Sequence, residues 1–272
     1  MPELPEVETV RRGLQSLLLS KKVAGVHLAR DNLRFALPKD LVARLAGNTF
    51  KEIRRRGKYL LLDLNSGDTL IVHLGMSGSF RFSPTAGFVR AKHDHVMFVL
   101  DNGITVAFND PRRFGMMDVT SNPANHPWLA VLGVEPEELD ADVLYARFQR
   151  SRRPIKVALL AQNLIAGIGN IYASEILFAA KIHPTRHSDS LTLQETAALV
   201  SACQKVLQAA IQAGGSTLRD HRAPTGELGV FQHQFMVYGR GGKPCGQCKG
   251  GCTVQTLTQA GRQSYYCPTQ QF

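Results

Sequence analysis

Pro2 and Glu3, at the start of the chain, combine a nucleophile with a proton acceptor. Met1 precedes a small residue and is expected to be removed, which leaves Pro2 as a free secondary amine beside the Glu3 carboxylate. An α-amino group has a pKa of about 7.7–8.0, against about 10.4 for a lysine side chain. Near neutral pH it therefore offers far more unprotonated amine. Amines of this kind attack electrophilic carbon and form Schiff bases. Taken alone, a Met-Pro start also fits a stiff beginning with no chemistry, so the rest of the chain has to decide.

Three other segments carry residues suited to a polyanion. The loop Asn109-Asp110-Pro111-Arg112-Arg113-Phe114-Gly115 lies between two strand patterns and offers two guanidiniums and an aromatic ring. Such a loop can push a planar wedge into a base stack while holding phosphates; the alternative is a turn with solvated arginines and an inward Phe. Met76, flanked by glycines in His73-Leu74-Gly75-Met76-Ser77-Gly78, either projects from a tight turn or packs in a core. In Leu164–Glu175 two glycines and an asparagine interrupt a helical pattern, and a new helix is expected from Ile171. Asn170 stands where its N-cap belongs, and backbone N–H groups there make a phosphate site. A plain helix-turn-helix of a bundle fits the same residues. Lys58, after Arg54-Arg55-Arg56-Gly57, reads by itself as a surface lysine.

Four of the five cysteines, Cys245, Cys248, Cys252 and Cys267, crowd the C-terminus, while Cys203 sits alone in a helical pattern. With no export signal in the sequence, such a cluster favours a metal over a disulfide framework. A C-x2-C before a hairpin-like segment and a further Cys is the pattern of structural zinc, which a module this small needs as a staple. The competing reading is a metal-free hairpin with free or oxidised cysteines.

The elements that must position these groups follow from periodicity. Glu6 to Leu19 reads as a helix with apolar residues at Val7, Val10, Leu14, Leu17 and Leu18. Strand patterns follow at Val23–Leu28, Lys58–Leu64, Thr69–Leu74, Ser79–Phe82, His95–Leu100, Ile104–Phe108 and Met116–Val119, with turn chemistry at 65–68 and 101–103. Many short strands predict a β-sandwich. From about residue 137 the pattern turns helical, over 140–150, 155–162, 171–181 and 193–213, with a capping box at Thr192 and Glu195. Arg219–Gly229 reads as a loop. The domains expected are a catalytic sandwich over 1–125, a helical domain over 137–232 and a finger over 236–272.

The chain has 272 residues, 44% of them hydrophobic, enough for one large core or two medium ones. No stretch approaches the roughly 20 apolar residues of a membrane span, and the acidic start lacks an apolar signal core, so the expected location is the cytoplasm. The net charge of +10 is spread over clusters such as Arg54–Arg56, Arg112-Arg113 and Arg150–Arg153, which suits nucleic acid.

Assembled, these residues resemble the bacterial formamidopyrimidine-DNA glycosylase family, repair enzymes that remove 8-oxoguanine and ring-opened purines. The resemblance spans essentially the whole chain. It rests on Pro2–Thr9, Arg56-Gly57-Lys58-Tyr59-Leu60, Lys92–His95, Asp110–Gly115, Gly167–Glu175 and Tyr238-Gly239-Arg240. It implies an α+β protein: an N-terminal β-sandwich with flanking helices, a helix-two-turn-helix domain and a C-terminal zinc-ribbon hairpin. It implies a bifunctional DNA glycosylase and AP lyase, acting as a monomer on double-stranded DNA containing oxidised purines, in the bacterial cytoplasm at the nucleoid, with one structural zinc.

By the same resemblance Pro2 is the nucleophile at C1′, Glu3 handles protons, Lys58 lies next to the lesion phosphate, and Arg262 serves phosphate binding and δ-elimination. Met76, Arg112 and Phe114 match residues that fill the hole left by an everted base. His93, Arg112, Arg152 and Arg153 in the Arg150–Arg153 run, and Asn170 match backbone contacts. One departure stands out. The family's ribbon has two C-x2-C pairs, and here the second reads Cys267-Pro268-Thr269-Gln270. Cys252 is the candidate replacement, giving Cys245, Cys248, Cys252 and Cys267 as the expected ligands. Two alternatives stay open: a related endonuclease for oxidised pyrimidines, and a damaged-DNA-binding protein without catalysis.

Overall fold

The computed structural model describes residues 1–83, 87–216, 229–248 and 250–272, so the loop expected over 219–229 lies outside them except for Gly229. The chain forms two compact units, Met1–Ala130 with Gly214–Gly229, and Val131–Ala213 with Val230–Phe272.

The first unit opens with α1 (Leu4–Leu18), two residues earlier than the apolar period suggested. Pro5 sits in its first turn, where a missing N–H costs nothing, and Glu3 takes the N-cap position. The buried face, Val7, Val10, Leu14 and Leu18, recurs at three- and four-residue steps and joins the sandwich core. Then come β1 (Val23–Leu28), the short α2 (Leu41–Leu45), β2 (Phe50–Arg56), β3 (Tyr59–Leu64), β4 (Thr69–His73), β5 (Ser79–Ser83), β6 (Asp94–Leu100), β7 (Thr105–Asn109), β8 (Met116–Thr120) and α3 (Pro127–Ala130). They make two four-stranded antiparallel sheets, ordered β1-β6-β7-β5 and β2-β3-β4-β8. Side chains from both fill one core, with Phe50, Leu62, Val72, Phe98 and Phe108 at its centre.

Strand β2 does not follow from the sequence, because the basic run hides its alternation. Only Phe50 and Ile53 are buried. Two of its three arginines meet acidic neighbours instead: Arg54 pairs with Asp63 of β3 at 2.5 Å and Arg55 approaches Glu8 of α1 at 3.5 Å.

The second unit contains α4 (Ala141–Phe148), α5 (Ile155–Leu159), α6 (Asn170–Ala179), α7 (Leu193–Gln212) and the hairpin β9 (Gln255–Gln259) with β10 (Arg262–Tyr266). Asp140 caps α4 by accepting the Val143 N–H at 2.9 Å, and the capping box of Thr192 and Glu195 opens α7 as its sequence predicts. Cys203 packs in the core of α7, and burial pushes its thiol up to about 12. Helix α6 is buried from Ile171 through Phe178, as befits the central helix of a bundle. Among the described residues no helix is long and apolar enough to cross a membrane.

Candidate active site and metal centre

The amino terminus lies among charged groups of the first unit. Pro2 is buried, as are Glu3 and Lys58. Burial pulls the Met1 α-amine below its ordinary value of 8.0; Glu3 and Glu6 oppose the shift, and Lys58 and Arg112 add to it. Burial at this start therefore favours a neutral amine, which is the nucleophilic form.

Glu6 holds this start in place. Its Oε2 accepts the Glu3 backbone N–H at 2.9 Å, and its Oε1 accepts the Ser216 N–H and hydroxyl at 2.8 and 2.9 Å. Gly215, at φ +76, lets the backbone pass so close that an added Cβ would lie 3.0 Å from Glu6 Oε1. The sequence carries no signal for this contact, because its partners stand at opposite ends of the unit's chain order.

His73 ends β4, and its Nδ1 accepts the Gly75 N–H at 3.0 Å, anchoring the turn that carries Met76. Burial lowers its pKa to about 4, with Lys58 and Arg34 contributing, so the ring is neutral at pH 7 and carries its proton on Nε2. Met76 and Phe114 are among the exposed large apolar side chains, at 43% and 41%, and the Arg112 guanidinium lies 5.0 Å over the Phe114 ring. Of the alternatives the sequence leaves open for these two, burial in a core is not what the structure has. His93 is partly exposed on the approach to β6.

The second unit gathers a separate set. Helix α6 begins one residue before its expected start: Gly169, not Asn170, occupies the N-cap. The Asn170 side chain is used elsewhere, accepting from Lys156 Nζ at 2.7 Å and donating to the Gln263 carbonyl at 2.9 Å. Lys156 is buried, and it also donates to Ser264 Oγ at 2.8 Å and the Gln263 carbonyl at 3.1 Å. It fixes the helix start to the hairpin that bears Arg262. A lysine after one isoleucine gives no hint of this. Gln162 shapes the connector before α6, donating to the Ile168 carbonyl and accepting the Gly167 N–H. Arg152 and Arg153 are exposed ahead of α5, with Arg152 reaching Asp189 at 3.5 Å.

Arg262 opens β10 immediately after a tight turn in which Ala260 and Gly261 both have positive φ, 46 and 71°. Two successive left-handed residues suit the right-handed twist of a hairpin, and they leave Arg262 exposed at its tip. Behind the hairpin, the Glu175 carboxylate of α6 is buried and accepts three backbone N–H groups, from Met236, Val237 and Tyr238 at 2.9, 3.0 and 2.7 Å. Burial pushes its carboxyl up, and these three bonds pull it back.

The four cysteines converge. The sulfurs of Cys245, Cys248, Cys252 and Cys267 all lie within 4.8 Å of one another, with Cys267 3.4 Å from Cys248 and 3.3 Å from Cys252. A tetrahedral zinc thiolate with bonds of about 2.3 Å requires sulfur separations of about 3.8 Å. The set fits. Bound there, zinc would be structural, with no position left open for chemistry. Gln270 does not substitute for a sulfur; its amide lies 3.5 Å from Cys248 Sγ as a hydrogen-bond donor. Purified protein should hold one zinc per chain, and Cys252→Ser should lower that content by more than half under competition from a chelator. Full zinc retention in Cys252→Ser, measured by elemental analysis, would take Cys252 out of the ligand set.

A sandwich with a charged, buried amino terminus and a helical unit ending in a four-cysteine hairpin define a helix-two-turn-helix protein of the zinc-ribbon kind. A family model for the Formamidopyrimidine-DNA glycosylase N-terminal domain matches residues 1–117, and one for the Formamidopyrimidine-DNA glycosylase H2TH domain matches residues 132–222. The chain belongs to the formamidopyrimidine-DNA glycosylase family. The Formamidopyrimidine-DNA glycosylase of Ruegeria sp. (strain TM1040) is 49% identical over 280 residues, covering 98% of both chains. A Lactococcus lactis Fpg in complex with DNA containing an abasic site superposes with a TM-score of 0.90 at 34% identity, over 99% of each chain. The same enzyme with Fapy-dG-containing DNA gives a TM-score of 0.89 at 34% identity, again over 99% of each.

Proposed function

We propose that this protein is a bifunctional DNA glycosylase and AP lyase that excises 8-oxoguanine and formamidopyrimidines from double-stranded DNA. The observation that carries the reading is the amino terminus: a buried Pro2 next to a Met1 amine pulled below its ordinary value, set among Glu3, Glu6 and Lys58. Full-length likeness to enzymes solved on damaged DNA supports the substrate class.

With Met1 removed, the Pro2 nitrogen attacks C1′ of the everted nucleotide. The C1′–N9 bond breaks as the base leaves with a proton, and the opened sugar becomes an iminium on Pro2. Glu3 moves the protons of base loss and ring opening. Loss of a C2′ proton then expels the 3′ phosphate, and a second elimination expels the 5′ phosphate. Lys58 is assigned to the lesion phosphate and acid help in the first elimination, and Arg262 to phosphate binding in the second. His93, Arg112, Arg152, Arg153 and the α6 start at Asn170 are assigned to backbone phosphates. Met76, Arg112 and Phe114 occupy the space the base vacates. The protein works as a monomer in the bacterial cytoplasm.

A duplex with a single 8-oxoguanine should be cut to products that have lost the sugar, and borohydride should trap a protein–DNA adduct. Preferential cutting of an oxidised pyrimidine would overturn the purine assignment. Tight binding with no cutting would make the protein a damage binder.

A further inference from the structure

The side chains assigned to DNA in the first unit stand on separate segments, yet one buried residue joins them. Asp110 is 0% exposed. Its Oδ1 accepts the Ser77 hydroxyl at 2.5 Å, from the loop carrying Met76. Its Oδ2 accepts the Gly115 N–H at 2.7 Å, closing the loop that carries Arg112 and Phe114. Its own N–H donates to the His93 carbonyl at 3.0 Å, and its carbonyl takes a bond from His95 Nε2 at 2.9 Å. The Ser77 hydroxyl oxygen also accepts the Arg112 N–H at 3.1 Å, so the serine bridges the carboxylate to the neighbouring loop.

The two loops also touch through their backbones. An added Cβ on Gly75, at φ +63, would lie 2.3 Å from the Phe114 carbonyl carbon. Gly78 and Gly115 rest on the same ring, Phe108, whose Cζ would lie 2.8 and 2.6 Å from their added Cβ atoms. Arg113 is held at φ 57, a conformation an arginine rarely takes, with its N–H donating to the Asp110 carbonyl at 3.2 Å. The Arg112, Arg113 and Gly115 N–H groups at the base of the second loop turn inward to Ser77 or Asp110, while Met76 and Phe114 are left outside.

We propose that Asp110 and Ser77 latch the two loops into one rigid wedge, so that Met76, Arg112 and Phe114 enter the vacated space together. Asp110 and Ser77 are positioning residues; they touch neither substrate nor reacting atoms. The proposal rests on the reading of Met76, Arg112 and Phe114 as void-filling. A carboxylate that merely helped the loops fold would stabilise the protein without making the exposed side chains depend on one another. Rigid coupling has a different signature, because removing either tip already disables the whole wedge.

The test is a double-mutant cycle on single-turnover excision from an 8-oxoguanine duplex. In the otherwise unaltered protein, the combined loss for Met76→Ala with Phe114→Ala should fall short of the product of the single losses by about tenfold. In a Ser77→Ala background the two effects should multiply. Ser77→Ala alone should slow excision by about tenfold at temperatures where the protein stays fully folded, with undamaged-duplex affinity held, and Ser77→Thr should restore the rate. Simple multiplication in the unaltered protein, or undiminished coupling in Ser77→Ala, overturns the latch. No loss in either single tip variant would instead remove the void-filling reading, and the latch with it.

Discussion

Blocking the Pro2 nitrogen with a residue that is not removed should abolish the borohydride-trapped adduct and lower excision by more than about 10³-fold, the scale set by losing a covalent nucleophile. The amine acts only when neutral, and the Met1 amine at the same start is pushed that way: burial first, with Lys58 and Arg112 adding to it against Glu3 and Glu6. An exposed lysine would stay protonated at neutral pH and compete poorly. Affinity for undamaged duplex should hold, because the groups assigned to phosphates lie elsewhere. Pro2→Gly makes the control, since it keeps a terminal amine at the same place and should still trap. An adduct that persists at full yield in the blocked protein would move the nucleophile to another amine, with Lys58 the first to examine.

Glu3→Gln should bind damaged DNA as tightly as the parent and lose base excision by about 10²–10⁴-fold, the usual worth of a positioned proton-transfer group. The change leaves the backbone alone, and the Glu3 N–H keeps its bond to Glu6 at 2.9 Å. Its cost to stability is small by comparison, because a charge at a helix N-terminus is worth about 0.3–1 kcal/mol. A barrier raised by several kcal/mol with little change in melting temperature would separate proton transfer from support of α1. A Glu3→Gln protein with normal single-turnover rates would refute the assignment. So would a fall in affinity large enough to account for the rate.

The sandwich, the helical unit and the cysteine finger were legible because each rests on local pattern: period-two strands, three- and four-residue helical steps, a capping box three residues wide. Strand β2 was not, since five of its seven residues are charged and the compensation comes sideways from Asp63 and Glu8. The start of α6 was displaced by a residue because an asparagine next to a glycine looks like a cap, whereas Lys156 and the Gln263 carbonyl claim its side chain. The groups that tie the site together were invisible for one shared reason. Glu6 finds Ser216, Lys156 finds Ser264, and Ser77 finds Asp110 across gaps no spacing rule spans. The candidate chemistry could be read from residue types, while its scaffolding needed three dimensions.

The cysteine arrangement divides the finger's security unevenly. Three of the thiolates sit before β9 and one follows β10, so Cys252 and Cys267 bracket the β9–β10 ribbon and the metal would clasp it at its base. Fasteners made only of protein back it up: Gln271 accepts the Cys267 N–H at 2.8 Å and donates to the Ile182 carbonyl, beyond the end of α6, at 2.9 Å, while Lys156 and Asn170 hold Gln263 and Ser264 of β10. Redundancy of this sort changes how the ribbon fails. Stripping the metal would open the clasp and leave the protein contacts, so the arginine-bearing tip would slacken by degrees rather than detach in a single step.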